Sequence, residues 1–136
     1  MPNSLRRVRV LVEVPRFGFV KREAGEGVEF VSPVPCPFNY GCVPGELAPD
    51  GDPPDAIVLG PRLRVGETVE VEVRGVVRFL DAGKVDDKLV CGPRPLRPRD
   101  LRTLATFFRL YAVARGLMNQ ARGIAGETRY GGVEAS

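Results

Sequence analysis

Asp50-Gly51-Asp52-Pro53-Pro54-Asp55-Ala56-Ile57-Val58-Leu59 sets three carboxylates on one Gly/Pro turn and then runs straight into an apolar segment. Gly and Pro in these places are turn chemistry, while Ala56 to Leu59 is a short apolar run of the kind a buried strand needs. The stretch therefore predicts a strand whose mouth carries converging acids. Converging carboxylates need compensation. Mg²⁺ offers it, because that ion takes one or two carboxylates and fills its other positions with water or phosphate oxygens. A polar, solvated turn is the plain alternative, and this segment alone leaves the two readings level.

A second acidic window, Asp81 with Asp86, Asp87 and Lys88, tips the balance toward metal: six of the seven aspartates fall in these two windows. Asp81 and Asp86 follow a strand ending at Phe79-Leu80, and Lys88 opens the next apolar segment, so the window reads as a metal-binding hairpin with an adjacent cation. A cation beside carboxylates suggests an anionic substrate. Lys21-Arg22-Glu23 repeats the pairing, with Lys21 and Glu23 on one side of a strand. Surface ion pairs give the same pattern and contribute little.

Working outward, Val8, Val10, Val12 and Val14 alternate with Arg7, Arg9, Leu11 and Glu13, the period of a strand with one face in a core. Thr68 to Val77 alternates likewise, with Val69, Val71 and Val73 inward, after the turn Val65-Gly66-Glu67. Shorter strands are predicted at Phe19–Glu23, Val28–Val31, Ala56–Leu59 and Lys88–Cys91. One helix is predicted from an Asp100 N-cap after Pro98 to near Gly116, with Leu101, Leu104, Phe108 and Tyr111 on one face. Many short strands broken by Gly and Pro, then one helix, suggest a small closed or nearly closed barrel in a mainly β (α+β) chain. Residues 1–118 are expected to form the barrel with its packed helix, and residues 119–136 a Gly-rich C-terminal tail without periodicity.

Composition narrows the chemistry. The 136 residues, 43% of them hydrophobic, suit one domain with its own core. Histidine is absent, which removes imidazole as base or zinc ligand. Cys36, Cys42 and Cys91 show no Cys-x-x-Cys spacing and read as small buried hydrophobes, with a Cys36–Cys42 disulfide as the minor alternative. No apolar run approaches the roughly 20 residues needed to cross a bilayer, and no signal-peptide core is evident. A cytoplasmic protein with no membrane contact is expected. Arg94, Arg97, Arg99 and Arg102 form a basic cluster that could track phosphates.

The order Glu13, Lys21-x-Glu23, Asn39-Tyr40-Gly41, Asp50-Gly-Asp52-Pro-x-Asp55, Asp81-x4-Asp86-x-Lys88 and Phe107-Phe108-x-x-Tyr111 resembles soluble family I inorganic pyrophosphatases over about residues 8 to 112. The resemblance implies an OB-like five-stranded β-barrel with a flanking C-terminal helix, and hydrolysis of pyrophosphate to two phosphates with several Mg²⁺ ions. It implies that Asp50, Asp55 and Asp86 hold a first metal, that Asp55 also reaches a second, and that Asp52 receives a proton from the attacking water. It further implies that Asp81 and Asp86 bind a metal arriving with substrate, and that Glu23 serves a further metal through water and phosphate. Glu13 stands as a carboxylate behind the ligands, and Lys21, Lys88, Tyr40 and Tyr111 donate to phosphate oxygens, although Tyr111 would equally suit core packing. A homo-oligomer, a hexamer by resemblance, is implied as well.

The phosphate half departs from the family's pattern. Its usual Arg falls near Ser32 or Pro33, its Lys after the helix tyrosine is Ala112, its aromatic before Asn-Tyr-Gly is Cys36, and Pro54 replaces an aliphatic residue. Two cationic contacts are missing, for which Arg115, Arg16 and Arg78 are the candidate replacements. The alternative function is a weak or inactive pyrophosphatase-like barrel that binds a nucleotide, RNA or another polyanion without turnover. Nucleic acid is the less expected partner, since exposed aromatics for base stacking are not evident.

Overall fold

Alternation over residues 7–14 becomes β1 (Arg7–Val14), in which Val8, Val10 and Val12 are buried and Arg7, Arg9 and Glu13 exposed. The computed structural model describes residues 6–24 and 27–136, and for 22–24 and 27–29 the backbone alone. Next come β2 (Lys21–Ala24), β3 (Gly27–Val31), β4 (Asn39–Cys42), β5 (Asp55–Val58), β6 (Thr68–Asp81), β7 (Lys84–Val85) and β8 (Lys88–Cys91). The helix α1 (Pro98–Ala121) and a last strand, β9 (Arg129–Ala135), complete the described elements.

Five of these strands pair in a ring, β1–β4–β5–β8–β6 and back to β1. All contacts in the ring are antiparallel except β5 with β8. This is the five-stranded barrel expected from the sequence. The long β6 closes it by changing partners: its first half lies on β1, its middle on β8, and its second half on β9 as well. Gly41 permits the closest approach within the ring. A Cβ there would lie 1.9 Å from the Leu11 carbonyl oxygen, beside an irregularity between Val12 and Val14, so only glycine lets β4 sit this near β1.

Two apolar clusters divide the interior. Val8, Val10, Val43, Ala56, Val58, Val73 and Cys91 form one, built without helix residues and filling the ring. The other joins Ile57, Val77, Phe79 and Val90 to Leu104, Phe107, Phe108 and Tyr111 of α1, with Val20, Phe30, Cys36 and Phe38 around them. Ile57 and Val90 are in-register neighbours on β5 and β8, each flanked by ring-filling residues. Both faces of these strands are therefore covered, which explains why they read as continuous apolar runs.

The helix differs from its sequence reading at both ends. Arg97, not Asp100, is the N-cap. Pro98 takes the first helical position, where its fixed φ and missing N–H cost nothing, and the Asp100 carboxylate accepts from the Arg97 backbone N–H at 2.8 Å. Leu101 lies off the buried face set by Leu104, Phe107, Phe108 and Tyr111 and is 37% exposed. The helix also runs past Gly116 to Ala121 and is stopped by Gly123 at φ 69°, where Ile124 N–H closes on the Asn119 carbonyl. Residues 119–136, expected as an aperiodic tail, thus finish the helix and add β9 to the outer side of β6. Glycines at 131 and 132 hid that strand, which holds to β6 by its backbone ladder and to the core through Tyr130 and Val133. Among the described residues no helix is long and apolar enough to cross a membrane.

Candidate active site

Parallel pairing of β5 with β8 sets Asp55 beside Lys88 as register partners, and antiparallel pairing of β4 with β5 sets Tyr40 opposite Ile57, diagonal to Asp55. Side chains two apart share a face, so sheet geometry alone brings these three together. Asp55 Oδ2 accepts from the Lys88 ammonium at 3.0 Å and from the Tyr40 hydroxyl at 2.9 Å. Asp86 Oδ2 stands 2.8 Å from the same ammonium. Lys88 is fully buried, with its Nζ 5.2 Å from the centre of the Phe79 ring. A buried ammonium requires such partners, since an unpaired one would lose its proton or the fold its stability.

Above this floor opens a cleft of about 900 Å³. Its walls carry the carboxylates of Glu13, Glu46, Asp50, Asp52, Asp55, Asp86 and Asp87 against the cations Arg6, Lys21 and Arg78. The loop before β5 is set by its own turn chemistry. Asp50 Oδ1 accepts from the Asp52 N–H at 3.0 Å, Gly51 takes φ 88°, and the Ala48 N–H reaches the Asp52 carbonyl at 2.8 Å. This leaves Asp50 and Asp52 exposed at the mouth and Asp55 at the floor. Cys42 registers the local field: burial first, then the negative charges of Glu13 and Asp55, push its thiol pKa up. Burial lifts Cys36 and Cys91 to about 12. All three cysteines are free, so the Cys36–Cys42 disulfide is not formed.

Asn39 anchors the cleft from behind. Its Oδ1 accepts from the Arg16 and Leu63 N–H groups at 2.9 Å each, and its Nδ2 donates to the Val58 and Pro61 carbonyls. The asparagine of the Asn-Tyr-Gly element is thus a structural clamp. It also explains Arg16, whose guanidinium turns to the Pro37 and Gly60 carbonyls and does not line the cleft.

The helix-side residues behave differently. Asp81, expected with Asp86 as a metal ligand, does not line the cleft. Its Oδ2 accepts from Arg115 Nε at 3.0 Å and its Oδ1 from Asn119 Nδ2 at 2.9 Å. Asn119 Nδ2 also donates to Thr128 Oγ1, which accepts in turn from the Ala82 N–H. The Ala82-Gly83 turn, with both residues at positive φ, sends the chain back so that Asp86 faces the cleft while Asp81 stays against α1. Arg115 is accordingly committed to Asp81 and lies over the Phe30 ring, 5.3 Å away, and it does not line the cleft as the expected replacement for a missing lysine. Tyr111 is 1% exposed, its ring packed between Phe30 and Phe79 with centroids 5.1 and 5.5 Å away. Glu23 stands on β2, and its side chain lies outside the described residues. Of the basic cluster, Arg97 is tied to Asp100.

Of the cations expected to replace the missing contacts, Arg78 is the one that lines the cleft, and Asp87 of the second acidic window lines it too. Arg78 reaches Glu134 of β9 through Nε at 2.9 Å and Nη2 at 2.7 Å, and Asp87 through Nη1 at 2.7 Å. Hydrogen bonds from Arg78 hold the Glu134 carboxyl below its usual range, and those to Glu134, then Asp87, raise the guanidinium. The signal available was position, because Arg78 lies between inward-facing Val77 and Phe79 and so points away from the helix.

The donor set fits a hard divalent cation: carboxylate oxygens around an open, polar cleft. Among the described residues no three acidic or thiol side chains come close enough to hold an ion by themselves, so water and substrate oxygens would complete its shell.

A family model described as inorganic pyrophosphatase matches residues 10–128. An inorganic pyrophosphatase of Gluconobacter oxydans is 35% identical over 101 residues, 68% of this chain and 57% of the relative. One from Sulfolobus acidocaldarius is 39% identical over 95 residues, 64% of this chain and 55% of the relative. The curated relatives compared are matched over 33% to 57% of their own length. A solved inorganic pyrophosphatase from Neisseria gonorrhoeae superposes with TM-score 0.63 at 27% identity over 93% of this chain and 82% of that one. One from Coxiella burnetii shares the fold with TM-score 0.72 at 22% identity, over 98% and 88%.

Proposed function

The chain belongs to the inorganic pyrophosphatase family, and from that premise we propose that it hydrolyses inorganic pyrophosphate to two phosphates with Mg²⁺ as its metal. The observation that carries the reading is the meeting of the two acidic windows, Asp50, Asp52 and Asp55 with Asp86, in one cleft over a buried Lys88. Bound divalent ions would lower the pKa of a water and neutralise the diphosphate.

The chain's own residues have separate tasks. Asp50, Asp55 and Asp86 supply metal-facing oxygens, with Glu13 behind them and Glu23 retained in the set from the resemblance. Asp52, exposed at the mouth, takes the proton of the attacking water. Tyr40 and Lys88 fix Asp55 Oδ2, and Lys88 offsets the charge of Asp55 and Asp86, which would otherwise repel each other at the cleft floor. Lys21 faces the phosphate from the wall. Asp81 has no task here, since Arg115 and Asn119 hold it on the helix side; Tyr111 is retained from the resemblance as a donor to phosphate.

A homo-oligomer and a cytoplasmic location are part of the same proposal. Leu110, Val113 and Leu117, spaced along one outer stripe of α1 and 46%, 63% and 62% exposed, support the first; three free thiols support the second.

The deciding experiment is phosphate release from pyrophosphate with and without Mg²⁺, with Asp52→Asn as control for contaminating enzyme. Release that needs the metal and disappears in the variant is expected. Equal release from Asp52→Asn, or none from the parent chain, would overturn the reading.

A further inference from the structure

An anionic substrate in a cleft walled by seven carboxylates and three cations must find its positive contacts among few groups. Lys88 is held by Asp55 and Asp86, and Arg115, paired with Asp81 through Nε, lies outside the lining. Among the described residues, the cations left in the lining are Arg6, Lys21 and Arg78. Arg6 pairs with Glu46 at the start of β1, with exposed side chains on both sides. Arg78 is better placed, since it rises from the middle of β6 between buried Val77 and Phe79, next to the segment that carries Asp86.

Its present contacts describe what it can bind. Nε and Nη2 hold the two oxygens of Glu134 as a fork, and Nη1 holds Asp87. That two-pronged face accepts phosphate oxygens as readily as a carboxylate. The partners differ in permanence. Asp87 is anchored by accepting the Phe79 N–H at 3.0 Å, and its side chain is 24% exposed. Glu134 is 64% exposed on β9, and an ion pair so open to water is easily exchanged.

We propose that Arg78 is a phosphate-binding residue of this cleft: its guanidinium, released by the exposed Glu134, turns its fork to oxygens of the diphosphate beside Asp87 in the lining. Glu134 is then a placeholder that keeps Arg78 extended in the free protein. The assignment rests on the pyrophosphatase reading, and it supplies one of the two cations that the family's pattern lacks here.

Calorimetric titration with imidodiphosphate, a non-hydrolysable diphosphate, in the presence of Mg²⁺ tests it alongside steady-state kinetics. Arg78→Gln should weaken binding about tenfold or more, the loss of charged hydrogen bonds, and raise KM further than it lowers kcat. Arg78→Lys should fall between, because it keeps the charge without the fork, and Glu134→Gln should bind as well as the parent chain or better. Arg78 is exposed, so thermal melting should show all three variants folded. Undiminished binding by Arg78→Gln, in a parent chain that binds and hydrolyses, would overturn this assignment and leave the pyrophosphatase reading intact. A parent chain that neither binds imidodiphosphate nor hydrolyses pyrophosphate would overturn both.

Discussion

The cleft floor and the helix-side wall both pair a buried cation with aspartate, to opposite ends. At the floor, Lys88 sits between Asp55 and Asp86, and both carboxylates still face open space. At the wall, Arg115 and Asn119 occupy both oxygens of Asp81, and the group turns inward to tie the β6–β7 hairpin to α1 and to Thr128. One arrangement leaves its acids facing the cleft; the other turns an acid away from it. An ion pair therefore says little about function until the direction its carboxylate faces is known.

The sharpest way to break this contrast is to remove each cation. Lys88→Met should lower phosphate release at least about 100-fold, an effect of the size expected when a positioned group in catalysis is lost, and cost about 3–5 kcal/mol in urea unfolding by leaving Asp55 and Asp86 uncompensated. Normal turnover in that variant would mean the floor is scaffolding like the wall. Arg115→Met should cost about 3 kcal/mol, the lower end for a broken buried pair because Asn119 still serves Asp81, yet leave turnover within a few-fold when assayed well below the melting temperature. A large loss of kcat in the folded variant would put Arg115 back in the site.

Asp81→Asn refines the contrast. It should cost about 1–2 kcal/mol, one charged hydrogen bond weakened, with the number of Mg²⁺ ions bound per chain unchanged in equilibrium dialysis. One ion fewer would return Asp81 to the ligands. The smallest effect belongs to the helix start. Burial works to raise the Asp100 pKa, but the bonds from the Arg97 amide and guanidinium outweigh it, and the carboxyl ends below its usual value. Its contribution is thus present above the ordinary carboxylate range and lost as pH falls through the lowered folded value. Asp100→Asn should cost up to about 1 kcal/mol at pH 7, and the deficit should fade in acid; a deficit that persists there would assign it to packing.

Particular residues show how far the sequence could be read. Period-2 valines exposed β1 and the first half of β6 directly, and β5 and β8 appeared as apolar runs because both their faces are covered. β4 was missed as a strand. Asn39, Tyr40 and Gly41 are all buried, so no alternation marks it, and an amide clamp, a hydroxyl and a close approach each fill a different need. In the site, the acidic windows were legible as composition but their facing was not. Parity offered the missing signal for Asp81: Phe79 packs under the helix, and two residues on, Asp81 shares its side. The helix held a matching sign, since Arg115 and Asn119 continue the buried stripe of Tyr111 and two polar residues there require a polar partner.

The burial of Lys88 also changes how this chain meets amine chemistry. It has three lysines; Lys21 and Lys84 are exposed, while Lys88 is sealed beneath two acids and an aromatic ring. Acylating reagents and lysine-specific proteases would mark the first two and pass over the third for as long as the floor stays closed. Labelling at Lys88, read by peptide mass, therefore becomes a clock for the opening of the barrel at the floor of its cleft.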